Sequence, residues 1–247
     1  MDILALGCWS AMLFRYWATQ KLFLLLHPNY MWLSNSAAIA LAAMASYKLI
    51  KLVGHKSNQI RATDEGHITL LPPGFSSAVL LAVAVFGLIY TPKAFASQTA
   101  AQRGISESLT LTRAQPQQFS RGKSAENRTI IDWIRLMNVY PEPDKYTDQP
   151  VNVTGFVIHP ETWPEDYVMV SRFVLTCCAA DAYPVGIPVK LSLETLSGQT
   201  KAEAYPVDSW IEVSGKVVTE TLDGRRQIAI APESINAIEA PKNPYEY

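Results

Sequence analysis

Residues 151–157 read Val-Asn-Val-Thr-Gly-Phe-Val, and residues 211–217 repeat the pattern as Ile-Glu-Val-Ser-Gly-Lys-Val. In both segments apolar residues alternate with polar ones, which is the pattern of a half-buried β-strand. Each segment has a glycine at its fifth position, and a glycine inside a strand often marks a bulge or a tight bend. The two segments therefore predict two bent strands of the same kind within one β domain.

Similar runs elsewhere predict the remaining strands of this domain. The five predicted strands cover residues 151–158, 167–176, 186–193, 210–220 and 227–231. Asp223-Gly224 separates the last two runs and is a strong hairpin signal. Five strands, with a longer insertion between the third and the fourth, predict an OB-like five-stranded barrel. A plain β-sandwich fragment is the alternative.

A short amphipathic helix is predicted before the first strand, with Ser124 as its N-cap. Its apolar residues recur at helical spacing and are Ile130, Ile131, Ile134 and Met137. Residues 92–123 are rich in Ser, Thr, Gln and Arg and poor in large apolar residues, which predicts a flexible linker. The predicted organisation is a transmembrane region at residues 1–91, this linker, and a soluble OB-like domain at residues 124–247.

The first 91 residues contain three apolar runs, at residues 3–26, 30–50 and 75–90. A helix that spans a bilayer needs about 20 residues, so the sequence predicts about three transmembrane helices and a multi-pass protein of the plasma membrane. Lys and Arg are concentrated in the loop between the second and third runs, which favours a cytoplasmic loop and an extracytoplasmic soluble domain. Arg15 interrupts the first run. It either reaches towards the interface or contacts a protein partner within the membrane.

The charge and the cysteine content exclude several classes of function. The net charge is -1, so the chain has no electrostatic footprint for nucleic acid. Three cysteines do not make a disulfide framework. Cys8 lies in an apolar run and is expected to be a packing residue. No catalytic constellation is found, so we do not expect an enzyme.

The other two cysteines lie in the stretch Thr176-Cys177-Cys178-Ala179-Ala180-Asp181. Successive side chains of a strand point to opposite faces, so the two sulfurs can meet at one ion only if the strand ends there and the backbone turns. The first interpretation is a soft-metal site for zinc or copper(I) formed by both thiolates and Asp181. His159 is left out of this site because the strand register places it at the far end of the hairpin.

Three other interpretations of the cysteines stay open. In the first of them, Cys177 is a core residue, Cys178 is an incidental thiol and Asp181 is a turn former. In the second, the thiols form a redox pair, although a disulfide between neighbouring residues is strained. A cysteine nucleophile is the third, and it is weakened by the scarcity of candidate bases.

The stretch from Ser171 to Ala182 resembles the signature of the YcgQ family, which is described as permease subunits of unknown activity. Further similar pieces are residues 18–28, 99–104, 153–157, 210–215 and 241–247. The resemblance implies a bacterial integral membrane protein that works with a separate multi-span permease, of a type that includes exporters of soft, thiol-binding compounds. It also implies that Cys177 and Cys178 match the family's cysteine pair and Asp181 its carboxylate.

Together these features predict a non-enzymatic accessory subunit of a membrane permease complex, in contact with the lipid bilayer and not with nucleic acid. Its tethered domain would bind a soft metal or thiophilic solute through the cysteine pair. The alternatives are an assembly module that binds protein, with the cysteines as core packing, and a thiol redox protein.

Overall fold

A computed structural model describes residues 1–54, 74–90, 92–104, 124–192, 196 and 198–247. These residues form two compact units, Met1–Lys93 and Ala94–Tyr247. The basic loop that the sequence places between the second and third apolar runs lies largely outside the described residues.

The first unit is helical and consists of α1 (Asp2–Ala18), α2 (Met31–Gly54) and α3 (Phe75–Ile89). Side chains of α1 contact both other helices. The Ser10 hydroxyl donates to the carbonyl of Ala38 in α2 at 2.9 Å. The Tyr16 hydroxyl donates to the carbonyl of Gly87 in α3 at 2.6 Å. Polar side chains of α1 therefore tie the three helices together.

Among the described residues one helix, Pro28–Gly54, is long and apolar enough to cross a membrane, by length and composition, where three were predicted. Only 6% of its most apolar window is buried. The first predicted span is too long, because α1 ends at Ala18 and the chain then turns at Gln20, whose φ is +56°. With 17 residues α1 lies at the lower limit of the length of a span, and α3 with 15 residues lies below it.

The second unit is built on a closed five-stranded barrel, which confirms the predicted barrel. The strands follow the order β1-β4-β5-β3-β2, and β2 returns to β1. A short sixth strand pairs in parallel with β2. The strands are β1 (Pro150–Ile158), β2 (Tyr167–Val174), β3 (Tyr183–Lys190), β4 (Trp210–Leu222), β5 (Arg225–Ile238) and β6 (Tyr245–Glu246).

Strands β3 and β5 differ most from the prediction. β3 begins at Tyr183 and not at residue 186, so the predicted Tyr-Pro stop lies inside the strand. Proline cannot donate to a neighbouring strand, and at Pro184 only one edge of β3 is paired, the edge towards β2, because β3 pairs with β5 only at Val189. β5 is also longer than predicted, because it follows β4 along its whole length from the hairpin at Asp223-Gly224. Both hairpin residues have positive φ, which confirms the predicted turn.

The two similar segments of the sequence pair with each other. β1 and β4 run antiparallel, and Val153 lies opposite Val213 at the centre of the paired region. A bulge occurs between Ser214 and Gly215. A Cβ atom at Gly215 would lie 2.2 Å from the Ala231 carbonyl oxygen, and one at Gly155 would lie 2.5 Å from that of Ser171. Both glycines therefore allow a close approach of the neighbouring strand.

Two helices of this unit precede the barrel. α5 (Ile130–Val139) is the predicted amphipathic helix, and Trp133 and its apolar neighbours join the barrel core. Its N-cap is Thr129 and not Ser124, because Thr129 forms a capping box with Asp132. α4 (Ser97–Arg103) lies in the segment predicted as a linker and belongs to this unit. The rest of the predicted linker, residues 105–123, lies outside the described residues. A further short helix, α6, covers Lys201–Ala204.

Candidate functional site

The Cys-Cys stretch forms the turn between β2 and β3. β2 ends at Val174, and the N–H of Leu175 is held by the carbonyl of Glu246 in β6 at 2.9 Å. The chain then bends, and Ala179–Asp181 form a single 3₁₀ turn with Cys178 as its N-cap. The strand therefore ends just before the two cysteines, which is the condition under which their sulfurs can meet.

Asp181 holds this turn together. Its carboxylate accepts hydrogen bonds from the Cys177 N–H at 2.8 Å, from the Cys178 N–H at 3.2 Å, and from the Thr176 hydroxyl. The carboxylate thus accepts from one hydroxyl and two N–H groups of the residues before it, as the acidic residue of a capping box does at the start of a helix.

The two sulfurs lie side by side at the surface. Cys177 Sγ and Cys178 Sγ are 3.7 Å apart, and the ligand atoms of Cys177, Cys178 and Asp181 all lie within 4.8 Å of one another. Cys177 is exposed, while Cys178 and Asp181 are half-buried. The structure therefore brings the three predicted site residues together, and neither cysteine is a core residue.

The electrostatics of the turn keep Cys177 protonated. A hydrogen bond of its thiol with the Asp181 carboxylate, then one with Cys178, raises the pKa of Cys177 to about 12. Partial burial favours the neutral form of Asp181, but hydrogen bonds from Cys177, Thr176 and the two backbone N–H groups outweigh it, so the pKa of Asp181 lies below its ordinary value. A metal ion that binds here must displace the Cys177 proton.

The sulfur separation suits a tetrahedral metal ion. Two thiolates at about 2.3 Å from a tetrahedral zinc ion are separated by about 3.8 Å. Asp181 has less to offer as a ligand. A carboxylate has about four lone-pair sites, and Oδ2 already accepts from Thr176 and Cys177, while Oδ1 accepts from Cys178. The turn can therefore provide two thiolates and at most one free lone pair on Oδ1, which leaves coordination positions open.

Arg103 contacts the same turn and was not found from the sequence. Its Nη1 donates to the carbonyl of Ala179 at 3.3 Å and to that of Ala182. It lies in one of the pieces that resemble the YcgQ family, residues 99–104, but nothing in the sequence linked that piece to the cysteines.

Two other residues singled out from the sequence lie elsewhere. In the first unit, Arg15 donates to the carbonyl of Leu88 near the end of α3, so the predicted contact with a membrane partner stays a prediction. His159 Nε2 lies 2.8 Å from the Tyr205 carbonyl oxygen, which agrees with leaving it out of the site.

A family model described as the DUF1980 C-terminal domain matches residues 122–247, about half of the chain. The chain belongs to this family. The DUF1980 match includes α5, the whole barrel and the turn with the two cysteines. It fits the predicted membership of an uncharacterised family, while the narrower resemblance to YcgQ stays a prediction. A search of curated proteins found no match to the chain.

Proposed function

We propose that this DUF1980 chain is a membrane-anchored, non-enzymatic module that binds a soft metal ion or thiophilic solute through Cys177 and Cys178. In this proposal it is the accessory subunit of a separate permease, as its resemblance to the YcgQ family implies. The observation that supports metal binding is the pair of sulfurs, 3.7 Å apart in a surface turn.

The open coordination positions of the turn favour an ion that is transferred to another ligand over an ion that stabilises the fold. Structural zinc sites are closed by four protein ligands, whereas sites that exchange a ligand keep a position open. Thiolates select zinc and copper(I) among common ions. Because Cys177 is exposed, another ligand can reach the bound ion, as delivery to a permease requires.

The apolar surface of the helical unit supports membrane anchoring. Trp32, Ile50 and Val53 of α2 are all more than two-thirds exposed. Ile89 of α3 is 78% exposed. We extend the proposal to a multi-pass arrangement in which α1 and α3 enter the membrane beside α2, with the barrel on the extracytoplasmic side. A membrane-impermeant maleimide, given long enough to react with the slowly reacting Cys177 thiol, should then label it on intact cells, and labelling only after lysis would contradict this orientation.

The three other interpretations of the cysteines are less well supported. Redox and nucleophilic cysteines need a depressed pKa in the metal-free protein, whereas the pKa of Cys177 is raised to about 12. A metal ligand does not need this, because a bound cation deprotonates the thiol that coordinates it. An assembly module with buried packing cysteines does not fit the exposure of Cys177.

Metal analysis of the full chain in detergent, under reducing conditions, tests the binding proposal. Wild type should hold one zinc or copper(I) ion per chain, and Cys177→Ser/Cys178→Ser should hold none. Cys8→Ser is the matched control, because it removes a thiol from the helical unit and leaves the turn intact. Failure of wild type to bind either ion, or equal binding by the double variant, would refute the proposal.

A further inference from the structure

A short helix of the second unit is fixed to the barrel by side-chain and backbone contacts. The ring of Phe95, just before α4, lies 5.2 Å from that of Phe173 and 5.7 Å from that of Tyr245. The N–H of Ser97 donates to Asp208 Oδ1 at 2.6 Å, and Ala100 is fully buried. The start and the middle of α4 are thus fixed on the barrel, and its last residue is Arg103.

Arg103 spans the turn that carries the thiols. Its Nη1 donates to the carbonyls of Ala179 and Ala182, which lie on either side of Asp181. Its guanidinium carbon lies 4.8 Å from the centre of the Phe95 ring, within the range of a cation–π interaction. The turn is therefore held from two directions, by Asp181 from within and by Arg103 from α4.

We infer that Arg103 is a positioning residue for the thiol pair, holding the β2–β3 turn in the form in which the sulfurs of Cys177 and Cys178 converge. The reasoning rests on the placement of the two carbonyls. Asp181 can accept from the N–H groups of both cysteines only while the 3₁₀ turn keeps its shape, and Arg103 fixes both the first residue of that turn and the residue after it. The role in metal binding rests on the proposed function.

The geometry also predicts which substitutions preserve the effect. A single nitrogen, Nη1, reaches both carbonyls. The ammonium of lysine carries three donors and can replace that nitrogen, so Arg103→Lys should retain the positioning. Arg103→Met keeps an apolar stem over Phe95 but has no donor, so it should lose the positioning.

Cobalt(II) binding by the full chain in detergent provides the test, because Co²⁺ binds thiolates as zinc does and its sulfur-to-metal absorption reports how many thiolates are bound. Residues that orient metal ligands typically contribute about 10–100-fold to affinity. Arg103→Met should weaken Co²⁺ binding by about that factor and reduce the sulfur-to-cobalt band, whereas Arg103→Lys should keep both near wild type.

Arg128→Met is the matched control. Arg128 also stacks on an aromatic ring of this unit, that of Trp133 at 4.8 Å, and donates to Gln149 at 2.8 Å. It contacts none of the turn residues named above. Its replacement should leave the cobalt spectrum unchanged. A loss of affinity equal to that of Arg103→Met would show a general effect of removing a stacked arginine and would overturn the inference.

Amide hydrogen exchange separates this inference from the proposed function. The N–H groups of Cys177 and Cys178 should exchange faster in Arg103→Met than in wild type and Arg128→Met, with no metal present. If wild type binds no cobalt but this difference is seen, the proposed function fails and the positioning of the turn holds. Equal exchange in the three proteins would overturn the inference whatever the metal result.

Discussion

Replacing Asp181 by alanine should open the turn between β2 and β3. The change removes three hydrogen bonds at once, from the Thr176 hydroxyl and from the N–H groups of Cys177 and Cys178. Loss of a capping side chain costs about 0.5–2 kcal/mol. Asp181 is half-buried, so water can replace part of what is lost, and we expect about 1–2 kcal/mol for local opening. That free energy corresponds to a factor of about 5–30 in the open population.

Hydrogen exchange measured by mass spectrometry on the full chain reports this opening. In Asp181→Ala, the amides of Cys177 and Cys178 should exchange about 5–30-fold faster than in wild type. Asp181→Asn should show a smaller effect, because one oxygen remains as an acceptor. Asp132→Ala is the matched control, since Asp132 closes the same kind of capping box at α5. It should accelerate exchange at the start of α5 and leave the cysteines unchanged.

Unchanged exchange at Cys177 and Cys178 in Asp181→Ala would refute this reasoning, because the carboxylate would then not be what holds the turn. A uniform acceleration of exchange throughout the barrel, no larger at the two cysteines than elsewhere, would also contradict it. That result would show that Asp181 contributes to global stability and not to the local structure of the turn.

Three further predictions concern the packing of the barrel, the pH dependence of its stability and the reactivity of the Cys177 thiol. Gly215→Ala should destabilise the barrel by about 1–3 kcal/mol or more, because its Cβ would lie 2.2 Å from the Ala231 carbonyl oxygen; Gly224→Asn, at a turn position that asparagine tolerates, should change the melting temperature less. Because the pKa of Asp181 is lowered in the folded protein, its carboxylate contributes stability above the ordinary aspartate pKa of 3.8, and this stability is lost as the pH falls further. The melting temperatures of wild type and Asp181→Asn should therefore differ at about pH 6 and converge in acid; a constant difference would contradict this. In a Cys178→Ser background Cys177 should react slowly with iodoacetamide at about pH 8, and Asp181→Asn should speed the reaction; equal rates would show that Asp181 does not hold the thiol proton.

The barrel was predictable because its strands carry local signals. Alternating apolar residues predicted β1 and β4, and Asp223-Gly224 marked β5, the hairpin partner of β4, through the positive φ that such a turn requires. The start of β3 was missed because Pro184 reads as a stop. Whether a proline is tolerated depends on which strand edge is paired, and that is a property of the assembled sheet.

The candidate site was predictable in its members but not in its geometry. Strand parity made a shared metal site conditional on a turn at Cys177 and Cys178. The spacing from Cys178 to Asp181 is that of a capping box, a signal that would have assigned Asp181 its structural role. Arg103 carried no such signal. Its position depends on Ala100 and on Phe95, the only large apolar residue among residues 92–104, and these two do not form a periodic pattern that indicates a packed helix.

The pairing of β1 with β4 gives the barrel a local pseudo-dyad. A twofold rotation about an axis between Val153 and Val213 exchanges the two similar segments. It carries the pair Gly155 and Ile211 onto the pair Gly215 and Val151. The two glycines therefore occupy equivalent places at opposite ends of the pair, and each accommodates a carbonyl from its other neighbour, Ser171 or Ala231. The same short motif, present twice in antiparallel strands, thus lets β2 approach β1 at Gly155 and lets β4 bulge against β5 at Gly215.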